Sequence, residues 1–219
     1  MAVAWNDDPP GSEPQIQANI RAVGEQILRR ASQREQPTVA MAQDWHRGIH
    51  EHVALPVAYY AGGVRDSDQR HPELIGYEVQ VGHIFGVSSL QVPQELDRFE
   101  ERARAAVIGL DAQIPSNGKP RTPAELQGVL LLAAILHGEW VRIHPFANGN
   151  GRTARLWAIW VAARYGLPPF IRLRPRPSGN SYAAAAFASM TGRHTLMAAV
   201  FGEMLNEYLR DGPGDRQRL

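Results

Sequence analysis

The twelve residues from His144 to Arg155, His-Pro-Phe-Ala-Asn-Gly-Asn-Gly-Arg-Thr-Ala-Arg, hold the chain's densest grouping of proton-accepting and anion-binding side chains. Gly149 and Gly151 let main-chain N–H groups turn toward a ligand without side-chain obstruction. The segment after them reads as a helix, whose first turn leaves N–H groups unpaired and carries the positive end of the dipole. Arg152 falls in that turn, where a cation opposes the dipole and does least for the helix. Arg155, three residues on, shares its face. Two guanidiniums and free amides at a helix start describe an anion site, most naturally for phosphates. His144 stands at the mouth, where an imidazole can take a proton from a hydroxyl near neutral pH. Phe146, between polar loop residues, reads as a plug into the core that fixes the loop. A Gly-Asn-Gly turn or a lone histidine is ordinary by itself; their coincidence carries the inference.

The elements that must position this loop are helices. Thr122-Pro123-Ala124-Glu125 combines a capping box with proline at the first helical position. The helix it opens, to about Val141, is apolar nearly all round and so belongs in the centre of a core. It stops at Ile143-His144-Pro145, because proline disfavours helix in the residue before it. After the loop a helix runs from about Arg152 to Tyr165, with Gly166 as a left-handed stop. Upstream, Ile16, Ile20, Val23, Ile27 and Leu28 recur at helical spacing, with Ser12 as the cap. A second helix is predicted from Thr38 to about Val53, and another from Pro93 to about Leu110. Two more are predicted near residues 181–190 and 194–210. Tyr77 to Val81 alternates between turn signals and predicts a small β-hairpin. The expected fold is mainly α with one hairpin. Residues 1–37 read as a flexible arm plus a helix, 38–210 as the domain, and 211–219 as a loose tail.

Composition narrows the function. The 219 residues are 44% apolar and 21% charged, as in ordinary globular domains. A net charge of +1 without a dense basic block argues against a dedicated nucleic-acid or anionic-membrane binder. The absence of cysteine removes disulfides, thiol nucleophiles and every Cys-ligated zinc site. The only lysine, Lys119, precedes proline, so a P-loop is excluded. The first ten residues have neither a basic region nor an apolar run, and Val129 to Leu136 is too short to span a bilayer. A soluble, cytoplasmic protein is expected.

The loop resembles the signature of the Fic family (filamentation induced by cyclic AMP), His-x-Phe-x-Asp/Glu-Gly-Asn-Gly-Arg-x-x-Arg, with Asn148 in place of the acid. Leu136-His137 before it and Tyr60-Ala61-Gly62-Gly63-Val64-Arg65 upstream resemble the family as well. The hairpin at Val79-Gln80-Val81-Gly82 lies where the family has its target-docking flap, about 74–86 here. The resemblance implies a Fic-type helical core and transfer of AMP from ATP to a Ser, Thr or Tyr hydroxyl of a target protein. By it, His144 is the general base, and the amides of Gly149, Asn150 and Gly151 hold the α- and β-phosphates. The side chain of Asn150 adds a phosphate contact, and Arg152 and Arg155 hold the outer phosphates. Val79, Gln80 and Val81 clamp the target backbone by strand addition. The family's acid at position 148 binds Mg²⁺ bridging the phosphates; an amide oxygen supplies a ligand without negative charge, so weaker or tuned metal use is expected. Many relatives carry, or receive from an antitoxin partner, an inhibitory Ser/Thr-x-x-x-Glu-Gly/Asn helix, and this chain has no such stretch.

Other groupings compete less well. His46 and His50 share a helix face beside His52, yet no acidic third ligand accompanies them, so packing is expected rather than metal. His137-Gly138-Glu139 resembles a deaminase His-x-Glu, whose chemistry needs the missing cysteines. Trp157 and Trp160 are expected in the core, and Arg172, Arg174 and Arg176 on a solvated extended segment. Tyr182 is open between an adenine pocket and core packing. Two rivals to AMP transfer remain. One is Fic-like transfer of another phosphate-containing group, including kinase-like phosphoryl transfer; the other is a nucleotide-binding regulatory module whose catalysis Asn148 weakens.

Overall fold

The computed structural model describes residues 4–66, 68–81, 84–116, 118–177 and 180–212. In chain order these form α1 (Glu13–Ser32), α2 (Val39–Ile49), a hairpin of β1 (Gln80–Val81) and β2 (Ile84–Phe85), α3 (Val92–Asp111), α4 (Pro123–Ile143), α5 (Asn150–Arg164), α6 (Asn180–Met190) and α7 (Thr195–Asp211). The fold is mainly α with a small antiparallel hairpin, as the sequence implies.

Helix α4 is the central element. Thr122 Oγ1 accepts the Glu125 N–H at 3.2 Å, and the Glu125 carboxylate accepts the Arg121 N–H at 2.6 Å, one residue short of a reciprocal capping box. The helix packs against α3, α5, α6 and α7, which is why its sequence is apolar nearly all round. By length and composition it could cross a bilayer, but Val129, Leu132, Leu136 and Trp140 are buried among its neighbours. Trp140 meets Trp157 of α5 at 5.9 Å between ring centroids, and Trp45 of α2 meets Trp157 edge-on at 4.9 Å. Phe146 closes this cluster from the loop side, 5.6 Å from Trp140, as the expected anchor. Ile16, Ile20, Val23 and Ile27 bury α1 in the same core, each worth roughly 2 kcal/mol of burial.

The ends of α5 depend on glycine. Gly149 precedes the helix with φ +76°, and a Cβ there would sit 2.5 Å from His46 Nε2, so only glycine fits. Gly166 ends it with φ +66°, while the Leu167 N–H returns to the Ala162 carbonyl at 2.9 Å, the predicted left-handed stop.

Several expectations are corrected. Helix α2 stops at Ile49 rather than Val53, and His52 is left-handed at φ +59°. Ser12 does not cap α1; its hydroxyl donates to the Pro9 carbonyl at 2.5 Å. The strands are two residues each, pairing Gln80 with Phe85 and Val81 with Ile84; Val79 lies just outside, its carbonyl accepting the Gly86 N–H at 3.0 Å. Gly82, placed in the flap, lies outside the described residues, as does the expected tail beyond Gly212. The N-terminal segment, read as flexible, is docked from Trp5 onward. Burying the indole, 7% exposed, holds it down.

Candidate active site

His144 succeeds the last turn of α4 in a left-handed conformation, φ +53° and ψ +57°. Such a backbone is costly for a residue with a Cβ and persists only where its surroundings hold it. Here they do. Its N–H bonds the Trp140 carbonyl at 2.9 Å, and its own carbonyl accepts Arg65 Nε at 2.7 Å. Its Nδ1 donates to the Val141 carbonyl at 2.8 Å, which puts the ring proton on Nδ1 and leaves Nε2 as an acceptor. Burial pushes the imidazole down to about 4, the Val141 bond opposing and the Arg65 charge adding to the shift. At neutral pH His144 is therefore a neutral base with its lone pair on Nε2.

Arg65, fully buried, organises this turn. Besides His144 it donates to the carbonyls of Tyr77 and Val87, both at 2.8 Å, and of Ile143 at 3.1 Å. Its main-chain N–H bonds the Pro145 carbonyl at 2.7 Å, and Glu78 lies 3.5 Å away. One guanidinium thus ties both ends of the hairpin to the His144 turn. The sequence marked the segment Tyr60 to Arg65 only by resemblance, and nothing local showed that Arg65 reaches four carbonyls.

His46 supports the loop from the other side. Its Nδ1 accepts the Gly62 N–H at 2.9 Å, so Nε2 carries the proton and donates to the Asn148 carbonyl at 3.1 Å. The ring stacks on Phe146 at 4.0 Å. Desolvation, with His50 beside it, holds His46 neutral. His46 thus joins the Gly62 segment to the loop, and His50 Nδ1 donates to the His46 carbonyl at 2.9 Å. The packing expectation for this pair stands.

The anion site differs in detail from the expectation. The Asn150 side chain, expected to contact phosphate, is committed to the loop: its Oδ1 accepts the Phe146 N–H at 2.9 Å and its Nδ2 donates to the Phe146 carbonyl at 2.8 Å. The Gly149 N–H is taken by Asn148 Oδ1 at 2.8 Å. Among the described residues, the N–H groups of Asn150 and Gly151 remain without hydrogen bonds, whereas those of Arg152 and Thr153 both return to the Gly149 carbonyl at 3.1 Å. Arg155 is buried, donates to the Leu173 carbonyl at 3.0 Å, and has no hydrogen bond at Nε. Desolvation lowers its pKa, and Tyr182 opposes that shift; no carboxylate pairs with it among the described residues. Arg152, by contrast, reaches Asp8 at 2.9 Å and Asp7 at 3.7 Å, from the docked N-terminal segment.

These groups share a cavity of 590 Å³, lined by His144, Asn148, Gly151, Arg152 and Arg155, with Gln80 and Val81 of the hairpin at one side. Tyr182, Ala183, Ala186, Phe187 and Met190 form an apolar wall. Tyr182 is packed in the core, its hydroxyl 2.8 Å from His137 Nε2, and it also lines the cavity, with Arg176 5.8 Å from its ring. Arg176 and Arg174, which is 3.5 Å from Asp8, turn toward the site rather than away from it.

The residues present do not fit a resident Mg²⁺. Asn148 brings no charge, its oxygen is committed to Gly149 and its Nδ2 donates to the Trp5 carbonyl at 2.8 Å. No cluster of three ligating side chains exists among the described residues. A magnesium ion arriving on a nucleotide's phosphates would be part of the substrate.

A helical core that presents a left-handed histidine beside an arginine-lined helix start, flanked by a hairpin, defines the Fic-type class of domain. The Fic/DOC family model matches residues 38–162, more than half of the chain, which belongs to that family. A uridine 5'-monophosphate transferase of Xanthomonas campestris is 52% identical over 42 residues, covering 19% of this chain and 8% of its own. A protein adenylyltransferase of Caenorhabditis elegans is 54% identical over 39 residues, 18% of this chain and 8% of its own. The matched stretch is thus under a tenth of either relative. A Fic-domain signaling protein of Bacteroides thetaiotaomicron superposes with a TM-score of 0.60 at 20% identity, over 89% of this chain and 69% of that one, which shows the shared fold.

Proposed function

We propose that this chain transfers a nucleoside monophosphate, AMP from ATP in the first instance, to a hydroxyl side chain of a target protein. The observation that carries this reading is Arg155: a buried guanidinium with no carboxylate partner among the described residues, facing a cavity that also holds an unprotonated His144 Nε2. An uncompensated buried charge calls for an anionic ligand. The free N–H groups of Asn150 and Gly151 complete a cradle for phosphate oxygens.

In this mechanism the triphosphate arrives as its magnesium complex and lies along the start of α5. The target hydroxyl gives its proton to His144 Nε2 as its oxygen attacks the α-phosphorus. The bond from the α-phosphorus to the bridging oxygen breaks, and pyrophosphate leaves with the electron pair, its charge met by Arg155. Phe85, 65% exposed on the hairpin, and the free edge at Gln80 and Val81 offer the target an extended docking strip.

A second reading, transfer of UMP, is favoured by the likeness to the Xanthomonas transferase. ATP labelled at the α- or the γ-phosphate, incubated with the protein and lysate, tests the class. Label from the α-position alone is expected. Label from the γ-position alone would indicate phosphoryl transfer instead. Unlabelled UTP outcompeting unlabelled ATP would assign the uridine reading.

A further inference from the structure

Asn148 is the one departure from the family pattern in the motif, and its surroundings give it a use. Its Nδ2 donates to the Trp5 carbonyl at 2.8 Å, while its Oδ1 is held by the Gly149 N–H. An ionised acid at this position would have no hydrogen to donate and would set an oxygen against the Trp5 carbonyl. The amide therefore suits the docked arm. Trp5 itself is seated on aromatic rings, 4.9 Å from His50, 5.6 Å from His46 and 5.8 Å from Tyr60. From that anchor the chain turns, the Asp8 N–H bonding Asn6 Oδ1 at 3.0 Å. The turn brings Asp8 to 2.9 Å and Asp7 to 3.7 Å from Arg152, with Asp8 also 3.5 Å from Arg174. Both carboxylates line the cavity. They sit where an arginine at the start of α5 would otherwise meet phosphate oxygens, and they leave Arg155 open.

We propose that residues 5–8 are a built-in anionic occupant of the nucleotide site, latched by the Asn148 amide, which must leave Arg152 before a triphosphate can engage it. The inference rests on the phosphate-site reading of the proposed function. The contact involves an irregular acidic segment and the first of the two loop arginines. It gives Asn148 the role of a latch residue. Opening costs the Trp5 burial and the Asp8–Arg152 bond, so nucleotide affinity is set by competition within the chain.

The test uses the full chain and ATP with magnesium, read by calorimetry. Asp7→Asn with Asp8→Asn is expected to tighten ATP binding by about tenfold, the scale of one lost charge-assisted bond. The second readout is cleavage by a protease specific for the amino side of aspartate, with release of the six-residue N-terminal peptide monitored by mass spectrometry. Cleavage before Asp7 is expected to be slow in the free protein, faster with ATP, and fast without ATP in Asn148→Asp. Equal or weaker ATP binding by the double variant would overturn the proposal while leaving the phosphate site intact. Weaker binding would mean that the carboxylates serve the nucleotide's metal. Failure of both proteins to bind ATP, with unchanged thermal unfolding, would overturn the phosphate-site reading and the arm's role with it.

Discussion

At the scale of single residues, two side chains of the site have their proton affinity lowered by burial. His144 gives its Nδ1 proton to Val141 and is held neutral by burial, so Nε2 is a base well below the usual histidine range. The base form is the unprotonated one, and it is lost only as pH falls through the folded value of about 4. The rate profile in kcat/KM should therefore stay flat down to about pH 5, whereas an ordinary histidine would lose activity below about 6.5. A midpoint near 6.5 would show that His144 is not held as described. Arg155 is buried without a counter-charge among the described residues. Arg155→Met should leave the fold as stable or more so, by about 1 kcal/mol, while ATP binding weakens at least tenfold. Chemical denaturation and calorimetry on one sample separate the two effects; loss of stability and binding together would contradict them.

At the scale of elements, the site is a junction of α4, α5 and the hairpin, and Arg65 is its fastener. Arg65→Lys keeps the charge but cannot span four carbonyls. It should cost about 3 kcal/mol and lower kcat more than it raises the ATP dissociation constant, since Arg65 holds His144 and no phosphate. A second junction lies far from the cavity. Asp111, ending α3, pairs with Arg164 of α5 at 2.5 Å and Arg34 at 3.0 Å, and accepts the Tyr165 hydroxyl at 2.9 Å. Asp111→Ala leaves two guanidiniums without that partner and should destabilise by about 3–5 kcal/mol in urea titrations. Much of this element level is legible in the chain itself. The proline start at Thr122, the glycine stop at Gly166 and the apolar α4 are local signals, and each holds its place in the fold. Arg65, the loop-facing His46 and the docked Trp5–Asp8 segment are not legible as site residues. Their roles come from contacts across 79, 102 and 144 residues of chain, which no short-range pattern encodes. Asn150 shows the converse: the motif marks its side chain as a phosphate contact, whereas the structure turns the amide inward to hold Phe146.

At the scale of the molecule, the core is built around imidazoles that must stay neutral. His46 and His137 are almost fully buried, and burial lowers both, His137 to about 3. The unfolded chain protonates these rings near 6.5 and the folded one does not, so stability falls as pH drops through that value and below. The slope is up to about 1.4 kcal/mol per pH unit for each ring. Urea midpoints measured between pH 7.5 and about 5 should decline accordingly; a flat series would mean that the rings are not shielded. The same buried frame carries the loop that gives the chain its chemistry, and one comparison tests that directly. Wild type and His144→Ala would be assayed side by side for ATP affinity and for transfer of α-phosphate label to protein. The account predicts equal ATP affinity with transfer reduced by about a hundredfold or more in the variant. Undiminished transfer by His144→Ala would contradict it.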